Sequence, residues 1–172
     1  EAIALISRHY QSGDTLPDSL LQALLAARHF QSGMMTLRQI EFALFDLDIH
    51  AASPALDQAG IQATLDQIRA QFAVLQPPAH NRFQHSFSHI FAGGYAAGYY
   101  SYKWAEVLAS DAFDRFEQEG IFNTQTGLAF RQEILAQGGS RSALDSFVAF
   151  RGREPQIDAL LRHSGWNTGA SA

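Results

Sequence analysis

The chain has 172 residues, 47% of them hydrophobic, with a formal net charge of −5 and no cysteine. Length and composition suit one domain with a sizeable core rather than a disordered segment, and the lack of cysteine excludes a disulfide framework, a thiolate metal site and a thiol nucleophile. With no basic block, and no apolar run of the roughly 18 residues that a membrane span needs, neither nucleic acid nor a membrane is expected as partner; a cysteine-free chain also fits a reducing, cytoplasmic setting.

Taken in order, Glu1 to Gln11 reads as the end of a helix stopped by Ser12-Gly13-Asp14. The chain opens on Glu1, without a methionine, in what reads as mid-helix, so it is expected to be a piece of something longer. Thr15 to Asp18 opens a second helix, with Pro17 in its first turn and Asp18 at its positive end. Leu20, Leu21, Leu24 and Leu25 form its apolar stripe, and Gly33 is expected to end it. Met34 to Ala52 reads as a third helix, apolar nearly all round and so buried on most sides. Arg38 and Glu41, three apart on it, are expected to form a solvated pair. Asp46, Asp48 and His50 suggest metal ligands, but at 3.6 residues per turn the two aspartates lie about 200° apart and cannot share one ion.

Ser53-Pro54 breaks the chain, and a fourth helix covers Asp57 to Phe72 with Ile61, Leu65, Ile68 and Phe72 as its stripe. Val74 to Phe83, with two prolines and no period, reads as a surface loop. A long helix is then expected from Tyr95 to Glu119, its core-facing set being Trp104, Val107, Leu108, Ala112, Phe113 and Phe116, with Gly120 as its end. Asn123-Thr124 is expected to cap a helix over Gly127 to Gln137, and Ser140 one that runs through Phe150. Pro155 sits in the first turn of the last helix, which ends near Gly165. No stretch reads convincingly as a strand, so residues 1–172 are expected to form a single all-α domain, a multi-helix bundle of seven or eight helices.

The chemistry concentrates between His85 and Trp104. Four of the five tyrosines lie there: Tyr95, Tyr99, Tyr100 and Tyr102. On a helix, Tyr95, Tyr99 and Tyr102 would share one face. Aromatic residues at such spacing are ordinarily core. A buried phenol, however, must find a partner for its hydroxyl, and Phe or Leu would fill a core at lower cost. Phenols beside the pair Gly93-Gly94, which permits positive φ and hinge motion, suit a wall that donates hydrogen bonds to a polar ligand. His85 and His89 share helical spacing but lack a third ligand, and no HExxH, GxSxG, P-loop or GxGxxG motif is present.

The segment from His85 to Asn123, followed by Gly138-Gly139 and by FRGREPQIDALL from Phe150 to Leu161, closely resembles the C-terminal part of the M3 zinc metallopeptidases, and within them the oligopeptidases. The likeness spans essentially the whole chain, including Leu16 to Phe30 and Leu37 to His50. It implies the C-terminal portion of a zincin-like catalytic domain in which zinc is held by an HExxH helix and a further glutamate. Both precede the region resembled, so no metal ligand is implied in this chain. In that resemblance His89 matches the family's histidine before a Gly-rich loop, and Gly93 and Gly94 match its glycines. Tyr95 and Tyr102 match tyrosines that bind substrate and stabilise the transition state, and Tyr99 matches a third that contacts substrate. The implied role is the substrate-binding section of an oligopeptidase that hydrolyses short peptides, with the remaining N-terminal part of the peptidase as partner. Without that part the chain is expected to be inactive and to self-associate through bared apolar surface. A non-catalytic helical peptide-binding or interaction module stays open beside it.

Overall fold

The computed structural model describes residues 2–166, and every regular element among them is helical; Glu1 lies outside the described residues. The expected opening helix is cut to α1 (Ala2–Ile6). The chain then turns back through an isolated antiparallel bridge between Arg8 and Thr15. Pro17 precedes α2 (Asp18–Ala27), as its fixed φ favours. Gly33 does not stop this helix: Gln31 takes the left-handed φ of 56° instead, and Gly33 falls in the first turn of α3 (Ser32–Ala51). α4 (Gln58–Phe72) is capped by Asp57, whose side chain accepts the Gly60 N–H at 2.8 Å.

α3 and α4 carry the first apolar core. Phe45 and Leu65 are fully buried there with Ile68, and Phe87 and Ile90 close it from the segment that follows. This segment is a tight turn at Phe83–Ser86 and the single-turn α5 (Ser88–Phe91). The Arg38–Glu41 pair is not the solvated pair expected. Glu41 is 1% exposed, and its Oε1 accepts from Arg38 Nη1 at 2.7 Å and from Arg69 Nε at 2.9 Å. Arg69 also donates to Asn81 Oδ1 at 3.0 Å, which ties the proline-bearing loop to α4. A buried carboxylate requires such pairing, and only tertiary structure brings Arg69 to it.

The second core sits further along the chain, where α6 (Ser101–Glu119) meets α7 (Thr124–Phe130) and α8 (Ala143–Arg151) around Ala112, Phe147 and Phe150. Asn123 caps α7 as expected, accepting the N–H groups of Gln125 and Thr126. Beyond Phe130 the helix widens into one turn over Arg131–Leu135, closed by Ala136 N–H on the Arg131 carbonyl. Ser142, not Ser140, caps α8. α9 (Asp158–His163) starts three residues after Pro155 and packs on α6.

Within FRGREPQ the arginines have a structural use. Asp111 of α6, 1% exposed, accepts from Arg151 Nε at 3.0 Å, from Arg153 Nη2 at 2.6 Å and from the Gln156 N–H at 2.7 Å. Asp114 accepts from Arg162 at 2.7 Å and also pairs with Arg151. This network fastens the α8–α9 connection to α6. Elsewhere apolar surface is bare: Leu20, Leu24, Phe30, Trp104 and Phe113 are exposed, and α2 buries no residue. Trp104 and Phe113 thus leave the core-facing set expected for their helix. The two halves of the described chain meet where Ser32 of α3 donates to the Ser164 carbonyl at 2.8 Å and accepts from Trp166 Nε1 at 3.1 Å.

Candidate active site

The tyrosines do not lie on one helix. α6 begins at Ser101, and residues 96–100 form a string of turns. Local propensity favours extending the helix backwards through Ala96 and Ala97, but two observations oppose it. Ala97 takes φ +54°. Its N–H and that of Tyr99 both donate to the carboxylate of Asp46 on α3, each at 2.9 Å. Tertiary hydrogen bonds override propensity here.

The rings nevertheless converge. Tyr95 and Tyr102 stack with centroids 5.0 Å apart and 28° between planes, and Tyr99 lies 5.1 Å from Tyr102. His89 stands 6.4 Å from Tyr95 and 6.1 Å from Tyr99, edge-on to the latter. Behind them Phe42, Phe83 and Phe87 form an aromatic floor, with Tyr99 edge-on to Phe87 at 5.1 Å. Tyr99 is the anchored phenol, its Oη donating to Gln39 Oε1 at 3.0 Å. Tyr102 is 40% exposed, and His89, Gly93 and Gly94 are exposed beside it. Tyr100, half exposed, does not belong to the ring cluster. His85 sits in the tight turn before α5, so it and His89 are not one helix face.

The diglycine has a steric reason at each position. A Cβ on Gly93 would lie 2.9 Å from the His89 carbonyl oxygen, and that same carbonyl accepts the Tyr95 N–H at 3.1 Å. Gly94 has φ +80° with open space around it, so its requirement is conformational. The loop between His89 and Tyr95 is thus drawn tight on its own first carbonyl.

The surroundings of Tyr102 and Tyr99 favour their protonated phenols. Hydrogen bonding with the Tyr95 phenol, then burial and the neighbouring phenols, hold the Tyr102 pKa above the ordinary 10.0. Burial raises that of Tyr99, against the opposing charge of Arg38. Both therefore remain donors through the neutral range. A concavity of about 450 Å³ lies elsewhere, lined by Met34, Met35, Phe72 and Leu75. Tyr102 is exposed while Tyr95 and Tyr99 are half-buried beside it, so the cluster presents a partly open face. Among the described residues, no group of three His, Asp or Glu is placed to hold a metal ion. None of the described helices is long and apolar enough to cross a membrane.

The sequence model of Peptidase family M3 matches residues 1–166. The chain belongs to peptidase family M3. Oligopeptidase A of Escherichia coli is 55% identical over 165 residues, which is 96% of this chain and 24% of that protein. The probable cytosolic oligopeptidase A of Arabidopsis thaliana is 47% identical over 169 residues, again 96% and 24%. Saccharolysin of Saccharomyces cerevisiae is 35% identical over 161 residues, 93% of this chain and 22% of that protein. The chain spans about a quarter of the length of the curated M3 relatives it matches. The resemblance read from the tyrosine segment and from FRGREPQ is therefore a family relationship over nearly the whole chain.

Asp46 is the residue of this region that sequence reasoning missed. It reads there only as half of an unworkable metal pair with Asp48. A usable signal was present: Asp46 is a carboxylate on a helix that is apolar nearly all round, and a buried carboxylate needs several donors. Gln39 carried no such signal.

Proposed function

We propose that this chain is the substrate-binding C-terminal section of a zinc metallo-oligopeptidase that hydrolyses short peptides. The observation that carries the reading is the partly open cluster of Tyr95, Tyr99 and Tyr102 beside the Gly93-Gly94 loop, in a chain of family M3. In the complete enzyme the metal supplies Lewis-acid activation, and its ligands belong to the rest of the peptidase. This section supplies the opposite wall. As a peptide carbonyl is attacked, negative charge grows on its oxygen, and the phenols of Tyr102 and Tyr95 donate hydrogen bonds to it. Tyr99, anchored on Gln39, and His89 bind the flanking peptide. Gly93 and Gly94 allow the loop to close over substrate and reopen.

Three points support the residue roles. The Tyr95 and Tyr102 rings are stacked, Tyr102 is 40% exposed, and its phenol keeps its proton. A donor for a developing oxyanion needs accessibility and a proton together. The chain forms one helical domain, a fragment of a larger cytoplasmic catalytic domain.

Activity and metal content of two preparations test this. The complete protein should bind zinc and cleave a quenched-fluorescence peptide. The 172-residue chain should do neither, and turnover with bound zinc in that chain alone would overturn the reading. The exposed leucines of α2 and Trp104 should make the isolated chain self-associate. Light scattering that gave a monomer at every concentration would rule this out.

A further inference from the structure

We propose that Asp46 is a positioning residue for the tyrosine wall, an inference that rests on the function just proposed. Its carboxylate is fully buried on α3. One oxygen accepts the Ala97 N–H and the other the Tyr99 N–H, each at 2.9 Å, across 51 and 53 residues of chain. His50, one turn along α3, lies with Nδ1 2.9 Å from Asp46 Oδ1 and 2.8 Å from the Asp46 backbone carbonyl. A carbonyl only accepts, so Nδ1 carries the proton, and it donates towards the carboxylate as well.

These bonds fall between the two stacked phenols. Tyr95 is tied to the His89 carbonyl on one side, and Tyr102 lies in the first turn of α6 on the other. The Asp46 bonds fix the intervening backbone, and Ala97 is held at a φ that an alanine rarely adopts. Without them the segment Ala96 to Tyr100 has the composition to join α6. Tyr95 and Tyr102, seven positions apart, would then lie about 10 Å apart along one helix, and the 5.0 Å stack of their rings would be lost. Charge-assisted bonds from backbone N–H groups to a carboxylate are strong and directional, so Asp46 sets the aim of the wall without touching substrate.

Asp46→Asn is the informative substitution. It keeps the size of the side chain but turns one acceptor into an NH2 group that faces a backbone N–H. In the complete enzyme it is expected to lower kcat about tenfold to a hundredfold, the scale on which a displacement of about 1 Å in a catalytic constellation acts, with a smaller change in KM. Because Asp46 acts through the phenols, the loss should largely vanish in a Tyr102→Phe background, a coupling that general destabilisation does not produce. A wild-type kcat in Asp46→Asn, or full additivity with Tyr102→Phe, overturns the inference. If Tyr102→Phe itself leaves kcat unchanged, the proposed function fails, and this inference with it. Amide exchange of the unsubstituted protein gives a reading that needs no variant to fold. The Ala97 and Tyr99 amides should exchange on the order of a hundredfold more slowly than the Ala96 amide in the same loop. Equal rates overturn the anchoring.

Discussion

In the complete enzyme, Tyr102→Phe is expected to lower kcat by about 10²–10³ while KM changes little, as loss of a single oxyanion donor does. The substitution removes one oxygen and keeps the ring, so the 5.0 Å stack on Tyr95 and the contact with Tyr99 should survive. A ground-state contact would show itself in KM, whereas a donor used only as charge develops shows itself in kcat. The comparison with Tyr99→Phe sharpens the result. Tyr99 already spends its proton on Gln39, so its loss should weaken the aromatic wall and raise KM more than it lowers kcat. The Tyr102 pKa stands above 10.0, so the phenol should not contribute an alkaline fall in rate below about pH 10. Steady-state kinetics on a quenched peptide checks these expectations, and an unchanged kcat for Tyr102→Phe would remove it from the transition-state role.

The second large effect is one of stability. Asp111→Ala should destabilise the fold by about 3 kcal/mol, the low end of the range for breaking a buried ion pair, because Arg151 is left with Asp114 alone. Arg151 is 8% exposed and cannot recover its hydration by moving outwards. The Gln156 N–H loses its acceptor at the same time and Arg153 keeps only the Glu154 carbonyl, so the α8–α9 connection should loosen on α6. Urea or thermal unfolding reads the loss. Its pH dependence gives a second check. Burial pushes the Asp111 carboxyl up, but hydrogen bonds from Arg153, the Gln156 N–H and Arg151 outweigh it, and the group ends below its ordinary 3.8. A depressed folded-state pKa contributes stability that is fully present above the ordinary carboxylate range and is lost as pH falls through the folded value. The gap between wild type and Asp111→Ala should therefore be widest near neutrality and close below about pH 4. An equal gap at pH 7 and pH 3 would contradict the assignment.

The two effects are connected through α6. Its first turn carries Tyr102, and its middle carries Asp111 and Asp114, where FRGREPQ is fastened. Catalysis and stability are thus predicted to separate along one helix: Tyr102→Phe should leave the unfolding midpoint nearly unchanged, and Asp111→Ala should lower the midpoint first.

Much of the helical order was legible in the residues because its causes are local. Asn123 accepts N–H groups two and three residues ahead, so its cap could be read without a fold. Gly120 ends α6 at a φ of 109° that only glycine adopts readily. The mixed outcome at the serines has the same basis: Ser140 and Ser142 are both competent caps, and which one is used depends on where the preceding wide turn delivers the chain.

By itself the sequence determined the all-α class, most helix stops, the family, and the density of phenols beside two glycines. Only the tertiary structure decided that Tyr95 to Tyr100 leave the helix, that Glu41 is buried between two arginines, and that FRGREPQ closes on Asp111. The reason is one of range. A cap or a stripe is set by neighbours within one turn of helix. Glu41 meets Arg69 across 28 residues and Asp46 meets Ala97 across 51, and no periodicity encodes a partner at that distance. Such groups, once buried together, outweigh the small per-residue preferences that sequence reading relies on.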